Sequence, residues 1–234
     1  MIVSVDCAIF GFDKELCIFL IKRTNLYFKN KWSLPGSIVF EDEALVGAIQ
    51  RTLYELSGIE NVYFEQVRAF GDPQRTERPR ILTVAYMAII DKRKHKLEPT
   101  VKNRTFISQT NEEELILEGK WFNISEMPLL PQDHSEIAFA ALKELKQKFR
   151  YEPICLELLP DKFTLKEFQN LYEIIYSFKM DQSNFRKKLL KSNLLEESED
   201  YGKSKSSRKP RLYSFKKEVK NKKENLLSLI DLPG

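Results

Sequence analysis

Hydrophobic and polar positions change their period twice along this chain of 234 residues. Residues 2–10 (IVSVDCAIF) and 16–23 (LCIFLIKR) are apolar runs of strand length flanking Gly11-Phe12-Asp13, which predicts two core strands around a turn. A loop carrying Lys29, Lys31 and Trp32 follows. From about Asp42 to Leu56 the apolar residues Leu45, Ile49 and Leu53 recur at helical spacing, and Gly58 is free to take the positive φ that stops a helix. Strands are predicted at 61–70 (NVYFEQVRAF) and 81–90 (ILTVAYMAII), around the polar loop GDPQRTERPR. A short strand is predicted at 120–124 (KWFNI), whereas 91–118 is charged and shows no period.

From Asp133 the period turns helical and stays so. Asp133 with Glu136, and Thr164 with Glu167, have capping-box spacing at the head of an apolar stripe. The stripes are Ile137, Ala141, Leu145 and Phe149, then Leu165, Phe168, Leu171 and Ile175. A third helix fits 181–192, burying Phe185, Leu189 and Leu190. Beyond it lie a strand at Leu194-Leu195, a polar tip (EESEDYGKSKSSRKP) and a second strand, RLYSF (211–215). Strands followed by helices predict an α+β chain of two domains. The expected boundaries are 1–132 for the first domain, 133–149 for a connecting helix, 150–220 for the second domain and 221–234 for a tail.

No apolar run reaches the ~18 residues of a membrane span. The start is broken by Asp6, Asp13, Lys14 and Glu15 and lacks a cleavage signal, so it does not read as a signal peptide. Cys7, Cys17 and Cys155 have no metal spacing, which suggests buried thiols in a reducing, cytoplasmic compartment. The net charge of +4 is unevenly placed. Residues 1–150 hold 21 Lys+Arg against 21 Asp+Glu, while Lys179–Lys223 holds 15 against 6, a local +9. That asymmetry suits an acidic partner, nucleic acid first, although a solvated lysine-rich tail would give the same count.

The stretch WSLPGSIVFEDEALVGAIQRTLYELSGI (32–59) resembles the Nudix box, Gly-x5-Glu-x7-Arg-Glu-U-x-Glu-Glu-x-Gly-U, where U is a bulky aliphatic residue. Anchored at Ser57-Gly58-Ile59, the box runs back through Glu55, Leu53 and Arg51 to Glu43, and its glycine falls on Ser37. Active members use three helix carboxylates to hold Mg²⁺ or Mn²⁺ around a diphosphate. Here two of those positions are Thr52 and Leu56, and Glu55 alone remains. A hard cation wants several oxygen ligands, so the resemblance implies a degenerate box with no catalytic residue, no metal and no cofactor. Mg²⁺ would enter only if a residual site were active.

Several collinear stretches resemble the Nudix-related transcriptional regulators: FGDPQRTERPRILTVAYMAII (70–90), DHSEIAFAALKEL (133–145), YEPICLELLPDKFTLKEFQNLYEII (151–175), DQSNFRKKLLKSNLL (181–195) and SSRKPRLYSF (206–215). The resemblance implies an N-terminal Nudix α/β/α sandwich sensing a nucleotide-sugar or sugar, ADP-ribose in one branch. It implies a C-terminal winged helix-turn-helix and a homodimer on operator DNA. The residues themselves agree. Helix 181–192 sets Phe185 and Leu189 on one face and Gln182, Ser183, Asn184, Arg186, Lys187 and Lys188 on the other. Amides can read adenine edges, and Arg and Lys read guanine or phosphate. A ribbon with Lys203, Lys205, Arg208, Lys209 and Arg211 can then follow a flanking backbone. In the Nudix cleft, Arg23, Arg51, Glu55, Asp72 and Arg75 are the candidate effector groups. Arg75, Arg78 and Arg80 could grip a phosphate or simply coat a loop. His134 reads as a helix-start polar residue packing at the domain junction, His95 falls in the charged segment, and Trp32 and Trp121 read as core. Two rival functions stay open: hydrolysis of a nucleoside diphosphate derivative such as ADP-ribose, and RNA binding as an adaptor.

Overall fold

The computed structural model describes the backbone of residues 1–23, 30–75, 80–95, 97, 103–105, 113–151, 154–202 and 209–218. The chain divides into two compact units: Met1–Gly11, Cys17–Ile90 and Lys94–Glu144 form the first, and Phe12–Leu16, Asp91–Arg93 and Leu145–Gly234 form the second.

In the first unit, β1 (Ile2–Phe12) and β2 (Leu16–Arg23) form the centre of a sheet. Around them lie β3 (Trp32–Ser33), β4 (Gly36–Ile38), β5 (Tyr63–Phe70), β6 (Ile81–Asp91), β7 (Asn103–Thr105) and β8 (Glu113–Asn123), in the order β5-β6-β1-β2-β8-β7. The short strands β3 and β4 pair antiparallel with β2 and β1. Successive strand residues point to opposite faces, and both parities here are apolar. Val5, Cys7, Ile9, Phe19 and Ile21 pack with Ala48, Ile49, Leu53 and Leu56 of α1 (Leu45–Ser57). Ala8, Phe10, Ile18 and Leu20 are equally buried, as in a sheet covered on both sides.

Several boundaries differ from the sequence expectation. The box helix starts at Leu45 rather than Asp42. The reason is that Glu43 bends back, accepting from Phe40 N at 3.3 Å and from Arg51 at 2.6 and 2.8 Å. The segment 91–118 is not irregular throughout, since β8 begins at Glu113 and pairs with β2 from Arg23 to Cys17. Gly58 does end α1 in the left-handed region, at φ 71°. Gly36 is demanded by space: a Cβ there would fall 1.8 Å from Asp6 Oδ1.

Helix α2 (His134–Tyr151) leads to a short helix α3 (Cys155–Leu158), then α4 (Leu165–Tyr176) and α5 (Gln182–Lys191). In the second unit Phe163, Phe168, Tyr172, Phe185 and Phe215 form an aromatic core, with ring centroids 5.1 to 5.9 Å apart across the successive contacts. The capping box predicted at Thr164 and Glu167 is present. Leu190, expected inside, is instead 41% exposed, because α5 is only ten residues long and buries one narrow stripe, Phe185 and Leu189. The strand expected at Leu194-Leu195 is β9 (Leu195–Tyr201), which takes up the first six residues of the expected tip and pairs antiparallel with β10 (Arg211–Phe215). The tail 221–234 lies outside the described residues.

Candidate functional site

The Nudix box is closed from inside. Thr52 and Leu56 are both 0% exposed, so the two positions that lost their carboxylates face the core rather than a cleft. Thr52 Oγ1 donates to Ala48 O at 2.6 Å and shares a short hydrogen bond with the Ser37 hydroxyl. Ser37 holds the position of the box glycine, and its side chain fills space that a glycine would leave open. The surviving acids serve the fold. Arg51 is gripped by Glu43, lies 3.6 Å from Glu55, donates to Ile38 O at 3.0 Å and sits over the Phe40 ring. Among the described residues, no three His, Cys, Asp or Glu side chains are arranged to hold a metal ion. A divalent cation does not fit these residues.

Two of the other effector candidates, Arg23 and Arg75, converge on a buried polar cluster. Arg23, from β2, is 2% exposed and donates to Leu34 O at 2.5 Å. Arg75 makes a two-pronged pair with Asp133, at 2.6 and 2.8 Å, just ahead of α2. Between them stand two groups that sequence reasoning did not single out as functional. Asp6 projects from β1, and His134 Nδ1 accepts from Leu34 N at 3.1 Å. Burial pushes the Asp6 carboxyl up to about 6, against the pull of Arg23 and Arg75. Burial, aided by Arg23, pushes the His134 imidazole down to about 3, so it is neutral and able to accept. Only the apolar strand interrupted by one acid hinted at Asp6. His134 packs among first-unit residues rather than at a junction. Asp72 stands apart from this cluster, exposed, capping its own turn by accepting from Gln74 N at 2.7 Å. Arg68, Phe70, Asp72, Arg75, Asp133 and Glu136 line an open concavity there.

In the second unit, α5 is capped by Asp181, which accepts from Asn184 N at 2.8 Å. Gln182, Ser183, Asn184, Arg186 and Lys187 are exposed, and Lys188 is half-buried. A polar face of amides and cations therefore stands clear of the core, as the spacing predicted. A groove runs beside it, lined by Thr164, Lys166, Gln169, Gln182, Arg186 and Lys209 among others. Lys166, exposed on the first turn of α4, was missed because it sits in an ordinary amphipathic pattern. The ribbon is less basic than its sequence suggested. Lys203, Lys205 and Arg208 lie outside the described residues, and Lys209 is exposed. Arg211 is held by Glu197, and the acidic strand β9 also engages Lys162 through Asp200.

Residues 2–145 match the NUDIX domain family, and residues 155–215 match the NrtR DNA-binding winged helix domain. Over 217 residues the chain is 32% identical to the ADPR responsive transcriptional repressor NtrR of Acinetobacter baylyi, covering 92% of this chain and 82% of the relative. The ADP-ribose pyrophosphatase of Methanocaldococcus jannaschii is 25% identical over 135 residues, 58% of this chain and 69% of the enzyme. The crystal structure of Shewanella oneidensis NrtR complexed with a 27mer DNA superposes with a TM-score of 0.72 at 26% identity, covering 93% of this chain and 94% of that one. The NUDIX domain of the same protein complexed with ADP ribose gives a TM-score of 0.50 at 27% identity over 61% of this chain and 87% of that one.

Proposed function

This chain belongs to the Nudix-related transcriptional regulators, a Nudix domain joined to an NrtR winged helix, and on that premise we propose that it is a transcriptional repressor released from its operator by ADP-ribose. One observation carries the reading: the chain joins a Nudix helix whose two substituted metal positions are buried to a capped helix whose leading turn is exposed and polar. The first feature favours binding over turnover. Removing one well-placed electrostatic group typically costs a hundredfold or more in rate, and here two carboxylates are gone. The second suits a major groove, with Gln182, Ser183 and Asn184 at the leading turn of α5 and Arg186 and Lys187 behind them.

The effector then binds without a dication, and the protein acts as a homodimer on two half-sites. Kinship with an ADP-ribose pyrophosphatase supports the choice of ligand and keeps hydrolysis as the rival reading. The test is fluorescence anisotropy on a duplex selected by the protein from a randomised library. ADP-ribose should release that duplex equally well in chelator and in Mg²⁺, while ADP-ribose itself stays intact. Release that needs Mg²⁺, or steady metal-dependent consumption of ADP-ribose, would return the protein to the hydrolases.

A further inference from the structure

Helix α4 buries an acid where an aliphatic residue would pack. Glu173 is 9% exposed, yet its carboxyl lies below the usual range: burial opposes ionisation, but the Met180 N–H, Lys179 and Gln169 outweigh it. Its oxygens accept from Met180 N at 2.9 Å, Gln169 Nε2 at 2.8 Å and Lys179 Nζ at 2.9 Å. Gln169, also 9% exposed, donates from the same nitrogen to Met180 O at 3.0 Å. So two side chains one helical turn apart take hold of both polar groups of one residue in the connection to α5. Burying an acid and an amide is rarely the most stabilising choice for a core, since apolar side chains of similar volume often stabilise as much or more. Such a pair fixes geometry instead.

What it fixes is the approach to α5. Met180 is followed by Asp181, the residue that caps α5, and then by Gln182, Ser183 and Asn184. We propose that Glu173 and Gln169 are positioning residues for sequence discrimination: by clamping Met180 they set the axial position and rotation of α5, and so the aim of its first-turn side chains. Base-edge hydrogen bonds need donor and acceptor within a few tenths of an ångström of 2.9 Å, so a small shift of α5 forfeits readout. Phosphate contacts through flexible lysines tolerate the same shift. This rests on the operator-binding reading.

The experiment compares wild type with Glu173→Leu, Glu173→Gln and Gln169→Leu on two duplexes: one selected from a randomised library by the wild-type protein, and a scrambled one of equal composition. Binding and thermal unfolding are measured together. The expected result for Glu173→Leu is an unfolding temperature within a few degrees of wild type, unchanged affinity and salt slope on the scrambled duplex, and discrimination reduced by about tenfold or more, the value of a lost base contact. Glu173→Gln keeps an oxygen for the Met180 N–H and should recover most of the discrimination; Gln169→Leu should lose part of it. If Glu173→Leu proves unstable, Glu173→Gln and Gln169→Leu decide. Leucine variants that keep wild-type discrimination, or that lose affinity for both duplexes in step with stability, overturn the proposal. A wild-type protein that selects no consensus defeats operator binding itself, a separate outcome.

Discussion

Thr52 illustrates how much one residue can and cannot disclose. Its place in the box, and that of Leu56, could be read from spacing back from Gly58, because helix periodicity is local. The hydroxyl that closes the site could not. Ser37 lies 15 positions away, and only the pairing of β4 with β1 brings it to Thr52. This changes the expected effect of restoring the carboxylates. At 0% exposure, a glutamate at 52 meets Ser37 and the core rather than a cleft, and an ionised carboxylate taken from water costs several kcal/mol unless paired. Thr52→Glu with Leu56→Glu is therefore expected to lower stability by about 3 kcal/mol or more and to leave ADP-ribose hydrolysis at background. Urea denaturation and a product assay with Mn²⁺ check both halves. Adding Ser37→Gly should recover part of the stability, since it returns space beside residue 52. A stable double variant that hydrolyses ADP-ribose would show that the box was open all along.

At the scale of elements, the strong periods carried through: α1, α4, α5 and β1 fall close to where apolar spacing put them. What escaped was set by distant partners. The strand β8 holds Glu113, Glu114, Glu118 and Gly119, which read locally as loop, and its extent follows from pairing with β2 a hundred residues earlier. The junction of β1 with the start of α2 was equally hidden, because Asp6 and His134 are 128 positions apart and meet only in the folded unit, at 4.0 Å. Their titrations oppose each other. Between pH 4 and 6, folded Asp6 keeps a proton that the unfolded chain has released, so its contribution falls as pH rises towards about 6. The unfolded chain carries a proton on residue 134 that the folded imidazole, with its pKa near 3, refuses, so this contribution rises towards 6.5. Each slope is about 1.4 kcal/mol per pH unit, and in this window they cancel. His134→Gln retains an acceptor for Leu34 N–H but removes one slope. Relative to wild type, the variant should lose roughly 2–3 kcal/mol between pH 4 and pH 6. Both tryptophans, Trp32 and Trp121, belong to the first unit, so their fluorescence during denaturation follows it directly. A stability difference that stays constant over that range would mean the two groups are not buried as described.

For the whole molecule, the local charge of +9 proved a better guide to location than to mechanism. It correctly drew attention to the second unit. Yet some of its cations are engaged where they stand, with Arg211 on Glu197 and Lys179 on Glu173. Sequence counts cannot separate a cation spent on a neighbouring strand from one offered to a partner; only the register of β9 with β10 decides that. Around the amides of α5 the exposed cations include Arg186, Lys187, Lys166 and Lys209. These two kinds of group should behave differently on DNA. If Lys209 meets a phosphate as proposed, Lys209→Ala should weaken selected and random duplexes alike, lowering the salt slope by about one unit. Asn184→Ala should leave that slope unchanged and cost roughly 1–3 kcal/mol on the selected duplex alone, at one base pair per half-site, because the exposed amide stands on the leading turn of the helix. Arg211→Ala should have a smaller effect on the slope than Lys209→Ala, since Glu197 already engages that guanidinium. Titrations at several salt concentrations distinguish all three. Should Lys209→Ala and Asn184→Ala both bind like wild type, the exposed face of α5 is only a solvated surface, and the operator must be held by some other part of the chain.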